Sequence, residues 1–288
     1  GVALLKAGTV KTLILSGGVD IEDGASEAGV MREIASIDTT DSGEVIQYPT
    51  ETAAGVAAWT AENAAFAESD DVFGQASLSA WKATRMVKVS DELLADTSYD
   101  LEAHLTRSFA RAFGVLFNTA YVVGDGTAKP TGVTTQTTVG KTGIVGQTVS
   151  ITADDVMDLY HSILPAYRRN GSWLLNDQSV KVLRKLKTGV SGDNTFLWQP
   201  GLTAGQPDTL LGRPVFSDPD MPVMAANAKS VLFGDFSYYQ IRDARGLAFQ
   251  RLNELYAANG QVGFRGYLRT DGKLLDTVAI KHYANSAT

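Results

Sequence analysis

The sequence predicts an α+β fold organised around one long helix. Apolar residues between Tyr99 and Val123 recur at intervals of three and four, which gives a helix of about six turns with one apolar face. Shorter helical and strand-like segments interleave over residues 133–244, which predicts a compact α/β subdomain. Before the long helix, residues 50–88 have the pattern of an extended excursion, and strand-like segments dominate after residue 244.

Composition excludes several classes of protein. The chain has 288 residues, a net charge of −7 and no run of like charges, so it lacks the basic stripe of a protein that grips nucleic acid. An acidic wall can still enclose DNA. The absence of cysteine excludes disulfides, thiolate metal sites and cysteine nucleophiles. No apolar stretch approaches the roughly 20 residues that span a bilayer, and the start is not expected to be a signal peptide.

The first fifty residues predict an arm, a short helix and a strand. Residues 1–20 mix apolar and small residues without a clear period, which favours an extended arm. A short helix is expected from Glu27 to Ala35. Glu44 to Tyr48 alternates as a strand does, and Pro49 is expected to end it because proline has no N–H to donate.

Residues 50–88 predict a long two-stranded ribbon. Thr50 to Phe73 is rich in alanine and acids and has no period, whereas Ala76 to Val89 alternates. Such a ribbon has no core of its own, so another copy of the protein is expected to cover it. Two aromatic residues are predicted interface anchors, and four acids either face water or pair with a neighbouring copy: Trp59 and Phe66, with Glu62, Glu68, Asp70 and Asp71.

The long helix is predicted to bury one stripe and to end at Gly124. Arg107 and Arg111 lie on its polar side, Gly124 is expected to supply a left-handed residue, and Pro130 prevents continuation. The predicted buried stripe consists of eight apolar residues: Leu101, Leu105, Phe109, Ala112, Phe113, Leu116, Ala120 and Val123.

The rest of the chain predicts a linker, the α/β subdomain and a set of strands. Thr131 to Thr148 is rich in Thr and Gly and is expected to be a linker. Thr152 and Asn176 are predicted helix caps, and Pro165 is expected to kink or end the first of these helices. The later predicted strands cover residues 173–175, 214–216, 230–233, 247–252, 263–269 and 274–282, and the last three of them are expected to rejoin the long helix.

No set of residues predicts catalysis, a cofactor or a metal. His104, His161 and His282 are not accompanied by a Gly-x-Ser-x-Gly elbow, and structural or surface roles explain them better. The glycines from 124 to 132 lack the Walker spacing and follow a helix where a nucleotide loop should follow a strand. Asp154 and Asp155 are explained by helix capping.

Four segments with Gly, Pro and Asp are interpreted as turns, and their order carries a family resemblance. They are Val123 to Gly132, Leu210 to Val215, Phe233 to Tyr239, and Arg269 to Gly272. In order and spacing they resemble the major capsid proteins of tailed bacteriophages, which have the Hong Kong 97-type fold. The resemblance covers the chain from about Glu22 to the C-terminus.

That resemblance implies four parts. They are an N-terminal arm (1–30), an extended β-ribbon loop (50–88), a peripheral domain with a long spine helix (31–49, 89–132 and 245–288) and an axial α/β domain (133–244). It implies a non-enzymatic protein of the virion that self-assembles, in the cytoplasm of a bacterial host, into hexamers and pentamers of an icosahedral shell around double-stranded DNA. A portal, a scaffold function and a maturation protease are the expected partners. A decoration protein is a further candidate.

Some members of this family weld their subunits through an isopeptide bond between a loop lysine and an asparagine, with a glutamate as proton acceptor. Laid over this sequence, the pattern puts Phe66 at the lysine, Asn259 at the asparagine and Gly266 at the glutamate. Only one partner of three is present, so no self-catalysed cross-link is expected, and Asn259 is retained as an interface candidate.

Two alternatives remain open at this point. An encapsulin has the same fold and holds cargo enzymes instead of a genome. Encapsulins usually begin with a short cargo-facing helix at their own Met, so the extended start without Met favours the phage protein. An enzyme with an unrecognised site, perhaps directed at glycans through exposed aromatics, is the more remote alternative.

Overall fold

A computed structural model describes residues 12–13, residues 29–96 apart from 54, 64 and 67, residues 101–187, residue 198 and residues 208–288. The predicted arm therefore falls mostly outside the described residues. The strands are β1 (Thr12–Leu13), β2 (Ser36–Thr40), β3 (Ile46–Ala53), β4 (Val72–Leu78), β5 (Trp81–Ser90), β6 (Thr138–Thr142), β7 (Ser172–Leu175), β8 (Thr209–Leu210), β9 (Arg213–Ser217), β10 (Lys229–Gly234), β11 (Tyr239–Leu252), β12 (Gln261–Leu274) and β13 (Ile280–Ala284). The helices are α1 (Met31–Ile34), α2 (Asp91–Asp96), α3 (Leu101–Val123), α4 (Val133–Gln136), α5 (Ala153–Ser162), α6 (Pro165–Arg168) and α7 (Asp177–Arg184), with 3₁₀ turns at Phe236–Tyr238 and Ala257–Asn259.

The first sheet packs against the long helix α3. Its strands run in the order β1-β11-β12-β5, and β2 adds to β11 in parallel. Phe109 of α3 lies edge-on to Phe249 of β11, with ring centroids 5.4 Å apart. A Cβ on Gly266 of β12 would lie 2.6 Å from the Phe109 ring, so the helix and the strand touch only because that residue is glycine. Phe109 and Phe249 belong to the larger of the two hydrophobic clusters among the described residues.

The buried face of α3 differs from the predicted stripe in its second half. Leu105, Phe109 and Phe113 are buried as predicted, but Leu116 and Val123 are exposed. The buried residues continue instead at intervals of four, through Phe117, Tyr121 and the parallel row Ala110, Gly114, Asn118 and Val122. The prediction took steps of three, four and three residues after Phe113, and each step of three turns about 60° short of a full turn, towards the exposed side.

Gly124 ends α3, but not as a left-handed residue. Its φ is not positive, whereas Gly126 two residues later has φ 78°. A Cβ on Gly124 would lie 2.1 Å from the Pro130 carbonyl oxygen, because the returning chain crosses the helix end there. Close backbone approach, not helix capping, therefore requires this glycine.

The second sheet has six strands in the order β6-β13-β10-β7-β9-β8. Thr152 forms the predicted cap of α5 as part of a capping box with Asp155, and Asn176 caps α7 through the N–H of Gln178. Trp173 of β7 stacks on Phe233 of β10 with centroids 4.3 Å apart, inside the second hydrophobic cluster. Pro165 begins the short helix α6 after α5 has ended.

Three expectations about residues 131–288 need correction. The predicted linker contains α4 and β6. β13 does not rejoin the long helix, because it pairs with β10 and β6 in the second sheet, while β11 enters the first sheet already at Tyr239. Arg269 to Gly272 is not a turn. It lies inside β12, where Gly272 admits the Tyr239 hydroxyl, whose oxygen would be 2.5 Å from an added Cβ.

The ribbon, which we define as residues 46–78, is shorter than predicted. β3 pairs with β4 from Ile46↔Leu78 to Ala53↔Val72, and β5 belongs to the first sheet. Pro49 does not end β3, because it lies opposite Gln75 inside the pair. A two-stranded ribbon has an open edge on each strand, so a residue without an N–H is tolerated there.

Candidate assembly interface

The tip of the ribbon, which we define as residues 54–71, exposes large apolar side chains. Trp59 is as exposed as in an isolated residue, and Phe66 is 88% exposed. Val56 also lies in water, as do Val72 and Phe73 at the start of β4. A soluble monomer rarely presents such a cluster unless a partner covers it.

The predicted acids of the tip are all exposed, but they do not have equal roles. The Gly55 N–H donates to the Asp71 carboxylate at 2.5 Å, and the Val56 N–H donates to the Ser69 hydroxyl at 2.8 Å. These two bonds close the tip just above the last paired residues of the ribbon. Glu62, Glu68 and Asp70 make no such bond within the described residues and face solvent.

A buried arginine holds the neck of the ribbon, which we define as the two segments at its base around residues 40–42 and 78–79. Arg242 of β11 is fully buried, and its Nη1 donates to the carbonyls of Leu78 and Ser79 at 3.0 and 3.2 Å. Its Nη2 donates to the Ser42 carbonyl at 3.0 Å, and its Nε donates to Thr40 Oγ1 at 3.1 Å. Both chain segments that lead into the ribbon are thereby fixed to one side chain.

Two carboxylates complete the neck. The Ser79 N–H donates to Asp271 Oδ2 at 2.6 Å, and burial raises the pKa of Asp271 above its usual value. The Tyr48 hydroxyl donates to Asp38 Oδ2 at 2.7 Å, and partial burial together with this acceptor raises the pKa of Tyr48 to about 12. The ribbon is thus anchored at its base and free at its tip.

A second polar cluster joins the two sheets. Asn118 of α3 donates from Nδ2 to Asp218, which follows β9, at 2.9 and 3.0 Å, and to Asp220 at 2.7 Å. The N–H of Val30 donates to the same Asp218 carboxylate at 3.3 Å. Burial raises the pKa of Asp218. The cluster ties the start of α1, the long helix and the second sheet at one point.

The sequence did not predict these buried polar residues. Arg242 lies in Tyr239 to Ala244, a segment that is buried throughout, and a charged residue in such a strand is the signal that could have marked it. Asn118 breaks the apolar row of α3 in the same way. Their partners are distant in sequence, so spacing could not reveal them.

The residues aligned with the cross-linking pattern do not have the chemistry of a reactive set. Asn259 is exposed in the 3₁₀ turn before β12, at Ala257–Asn259. Gly266 lies against Phe109, where any side chain would collide with the ring. Phe66 carries no nucleophile. The structure therefore leaves no room for a glutamate at the position that the resemblance assigns to it.

The histidines and acids show no catalytic arrangement among the described residues. His282 is buried, its Nδ1 lies 3.0 Å from Thr137 Oγ1, and burial lowers its pKa to about 4. His104 and His161 are exposed on α3 and α5. No group of three His, Asp or Glu side chains able to hold a metal occurs in the described ranges. None of the helices described there combines the length and apolarity needed to cross a bilayer.

Comparison with known proteins decides the family. The model of the phage capsid family matches residues 19–285. The chain belongs to the phage capsid family. It is a major capsid protein, and its place is the shell of the virion.

Solved structures agree with this assignment. The capsid of a native GTA particle is 28% identical, with a TM-score of 0.81 over 99% of this chain and 96% of that one. The structures titled Gordonia phage Cozz and Mycobacterium phage Cain are 14% and 12% identical, with TM-scores of 0.67 and 0.69 over 90% and 91% of this chain and 87% and 91% of theirs. At that identity the two phages support the fold alone. No curated protein matches the chain in sequence.

Proposed function

We propose that many copies of this chain form hexamers and pentamers of an icosahedral shell around double-stranded DNA, and that the ribbon of each copy lies against a neighbouring copy. The observation that carries this proposal is the exposed tip. Trp59 and Phe66 have no cover within the described part of their own chain, and aromatics that lose their water on association are typical interface anchors.

The parts implied by the resemblance are proposed as units of assembly. The arm is 1–30 and the extended loop 50–88. The peripheral domain is 31–49, 89–132 and 245–288, and the axial domain is 133–244. The strand pairing supports a division into two sheets. The chain re-enters the first sheet at Tyr239, where β11 begins, and returns to the second sheet at Ile280, where β13 begins. Subunit contacts are proposed at Trp59, Glu62, Phe66, Glu68, Asp70, Asp71 and Asn259.

The partners are proposals of the same kind. A portal, a scaffold function and a maturation protease would build and mature the shell, and a decoration protein would reinforce it. A net charge of −7 suits a wall that encloses DNA without gripping it. We also propose that the chain has no catalytic role, because its buried polar residues bind backbone groups at structural junctions.

Electron microscopy of concentrated protein tests the proposal directly. Closed shells with hexameric and pentameric capsomers are the expected result, and persistent monomers would contradict it. Nuclease treatment of particles purified from infected cells then separates a genome container from a cargo compartment of the encapsulin type. Protected double-stranded DNA supports the first, whereas protected protein cargo without DNA supports the second.

A further inference from the structure

The chain contains the dipeptide Asn-Gly twice, at Asn170–Gly171 and at Asn259–Gly260. In this dipeptide the backbone nitrogen of the glycine can approach the side-chain amide carbon of the asparagine, because glycine has no Cβ to hinder it. Attack by that nitrogen expels ammonia and closes a cyclic imide. The attack requires a backbone that can bring the two atoms to about 3–3.5 Å. The two sites differ in this respect.

The second site lies at the exposed end of the hairpin that joins β11 to β12. Asn259 and Gly260 are both exposed, and Gly260 is left-handed, with φ 61° and ψ 38°. Among the described residues other than its neighbours in sequence, no heavy atom lies within 4 Å of the point where a Cβ on Gly260 would stand. The Gly260 N–H donates to the Ala257 carbonyl at 3.1 Å. This turn bond has to open for the attack, and opening an exposed turn costs no buried packing.

The first site has the same two residues in a fixed backbone. Asn170 is exposed, but Gly171 is buried, and a Cβ on Gly171 would lie 2.9 Å from the Phe233 ring. The next residue, Ser172, begins β7 and is paired with β10. The Gly171 N–H donates to the Arg168 carbonyl at 3.3 Å, so its hydrogen bond is no shorter than that of Gly260. The difference lies in packing, because the Gly171 nitrogen cannot move without displacing β7 from Phe233.

We propose that Asn259 is a self-modification site, at which the free subunit loses ammonia through attack of the Gly260 nitrogen on the Asn259 side-chain amide. The Gly260 nitrogen gives its proton to hydroxide, the bond from this nitrogen to Cγ forms, and the bond from Cγ to Nδ2 breaks. The departing nitrogen takes a proton from water and leaves as ammonia. Water then adds to one carbonyl of the imide and opens it to aspartate or to isoaspartate. The net reaction consumes water, releases ammonia and changes the net charge of the chain from −7 to −8 (−7 − 1).

An isoaspartate alters the junction between this hairpin and α2. The Gly260 carbonyl accepts the N–H of Asp91 at 3.0 Å, at the start of α2, and Gln261 pairs with Ser90 at the end of β5. In isoaspartate the chain runs through the side chain, so the backbone between residues 259 and 260 gains a methylene group. The Gly260 carbonyl then shifts relative to Asp91, and a carboxylate stands where Asn259 had a neutral group.

The modification concerns assembly because Asn259 is one of the proposed subunit contacts, and this part of the inference rests on the proposed function. A carboxylate on a shifted hairpin should weaken a contact that is made by a neutral amide. Free subunits should therefore lose the ability to assemble as they age. A neighbouring copy that covers the hairpin should hold the turn closed and stop the attack.

Mass spectrometry of peptides from incubated free subunits tests the site. In mildly alkaline buffer, where the attacking nitrogen loses its proton more readily, Asn259 should gain the mass that accompanies a change from amide to acid, and an isoaspartyl methyltransferase should label it. Asn170 should convert about a hundredfold more slowly, the cost of a misplacement of about 1 Å. In urea, where the fold is lost, both sites should convert at similar rates. Equal conversion of both in the folded subunit, or an Asn259 that converts in urea alone, would overturn the proposal.

Two matched variants separate the attack from general ageing of the protein. Asn259→Gln lengthens the side chain by a methylene group, so the attack would close a larger ring, and the conversion should be abolished. Asn170→Gln makes the same change at the packed site and should leave the conversion of Asn259 as it is in the wild type. Conversion that persists at residue 259 in the first variant would contradict the proposed route.

Assembly is measured separately. Wild-type subunits aged until most of Asn259 has converted should need about a tenfold higher concentration to form shells than fresh ones, because a charge then stands in the contact. Aged and fresh Asn259→Gln subunits should have the same threshold as each other. Equal thresholds for aged and fresh wild type would refute the effect on assembly. A wild type that never forms shells would defeat the proposed function, whereas the conversion of Asn259 would still be decided by the free subunit.

Discussion

The ribbon and the first sheet are both built from antiparallel strands, yet they differ in what covers them. In the sheet, β11 and β12 have one side buried under α3, with Phe249 and Phe264 in its core. Among the ribbon side chains that the structure describes, only Ala76 and Leu78 near the neck are buried, and the others become exposed towards the tip. The sheet is thus stabilised by packing within its own chain. The apolar groups of the ribbon tip are exposed within the chain, and in the proposed assembly a neighbouring copy buries them.

A charge in the core between α3 and the first sheet should have the largest effect on folding. Phe109→Asp removes the ring that packs on Phe113, Phe249 and the backbone at Gly266 and buries a carboxylate in its place, and the single Arg85 guanidinium, 4.8 Å from the centre of that ring, does not replace the lost packing, so the change should prevent folding. Soluble expression and circular dichroism report the result. Leu116→Asp is the matched control on the same helix, because Leu116 is half-exposed and its variant should fold normally. Equal behaviour of the two variants would refute the buried face described above.

Removing the tip should abolish assembly and spare the fold. Ala53 and Val72 are opposite each other, so residues 54–71 can be replaced by an Asn-Gly turn that continues the hairpin. The cut stops before Ala76 and Leu78 because both are buried. Thermal unfolding of the subunit should match the wild type, while sedimentation should show no shells. Normal shells from this variant would end the assignment of the tip to an interface.

The neck should show an intermediate effect. Arg242→Met leaves the carbonyls of Leu78, Ser79 and Ser42 without their donor and should lower the free energy of unfolding by about 3 kcal/mol. Urea unfolding measures the loss. Arg245→Met, on the exposed stretch of the same strand, removes one solvent-exposed bond from Nε to the Asp41 carbonyl and should lower the free energy of unfolding by about 0.5 kcal/mol or less. A loss shared equally by both variants would argue against a special role for the neck.

Single aromatic truncations should affect association alone. Trp59→Ala or Phe66→Ala should weaken assembly by about 2 kcal/mol, since each removes one anchor, and should leave subunit unfolding unchanged because both side chains are exposed. The concentration threshold for shells and the melting of dissociated subunits give the two readings. A lowered melting temperature would mean that the tip packs on its own subunit.

The last prediction is that mature particles contain no covalent cross-link between subunits. With Phe66 at the lysine position and Gly266 packed against Phe109, no isopeptide bond of the family pattern is expected, so mature particles boiled in detergent should run as one band near 30.7 kDa. A ladder of covalent oligomers would overturn this prediction and show that the ribbon is held by bonds instead of by packing.

The long helix shows why some features followed from the sequence and others did not. Leu105, Phe109 and Phe113 were predicted because a local period of three and four defines a face without knowledge of the partner. Leu116 and Val123 were predicted wrongly because a step of three and a step of four after Phe113 both lead to an apolar residue. Only the packing of β11 and β12 against the helix decides which of the two is buried. The same limit applies to Gly124, whose need for glycine arises from Pro130 crossing above it.

The candidate interface likewise contains residues that the sequence marked and residues that it did not. Trp59 and Phe66 were singled out because large aromatics among acids are unusual in a free loop; the structure shows both exposed, and their role as interface anchors stays a prediction. Asp71 looked like one more surface acid, although it binds the Gly55 N–H across the base of the tip. The roles of Arg242 and Asp271 depend on register between strands that are remote in sequence, which no spacing rule encodes.

The purely acidic composition from residue 33 to residue 81 has a consequence for proteases. Trypsin cuts only after lysine and arginine, so it finds no site between Arg32 and Lys82. Chymotrypsin cuts after large aromatics and meets Trp59, Phe66 and Phe73, all exposed in the free subunit. Trypsin therefore cannot cut the ribbon, whereas chymotrypsin should cut it in the free subunit and should lose these sites when a neighbouring copy covers them in the proposed assembly. This pair of enzymes can thus follow shell closure without any label.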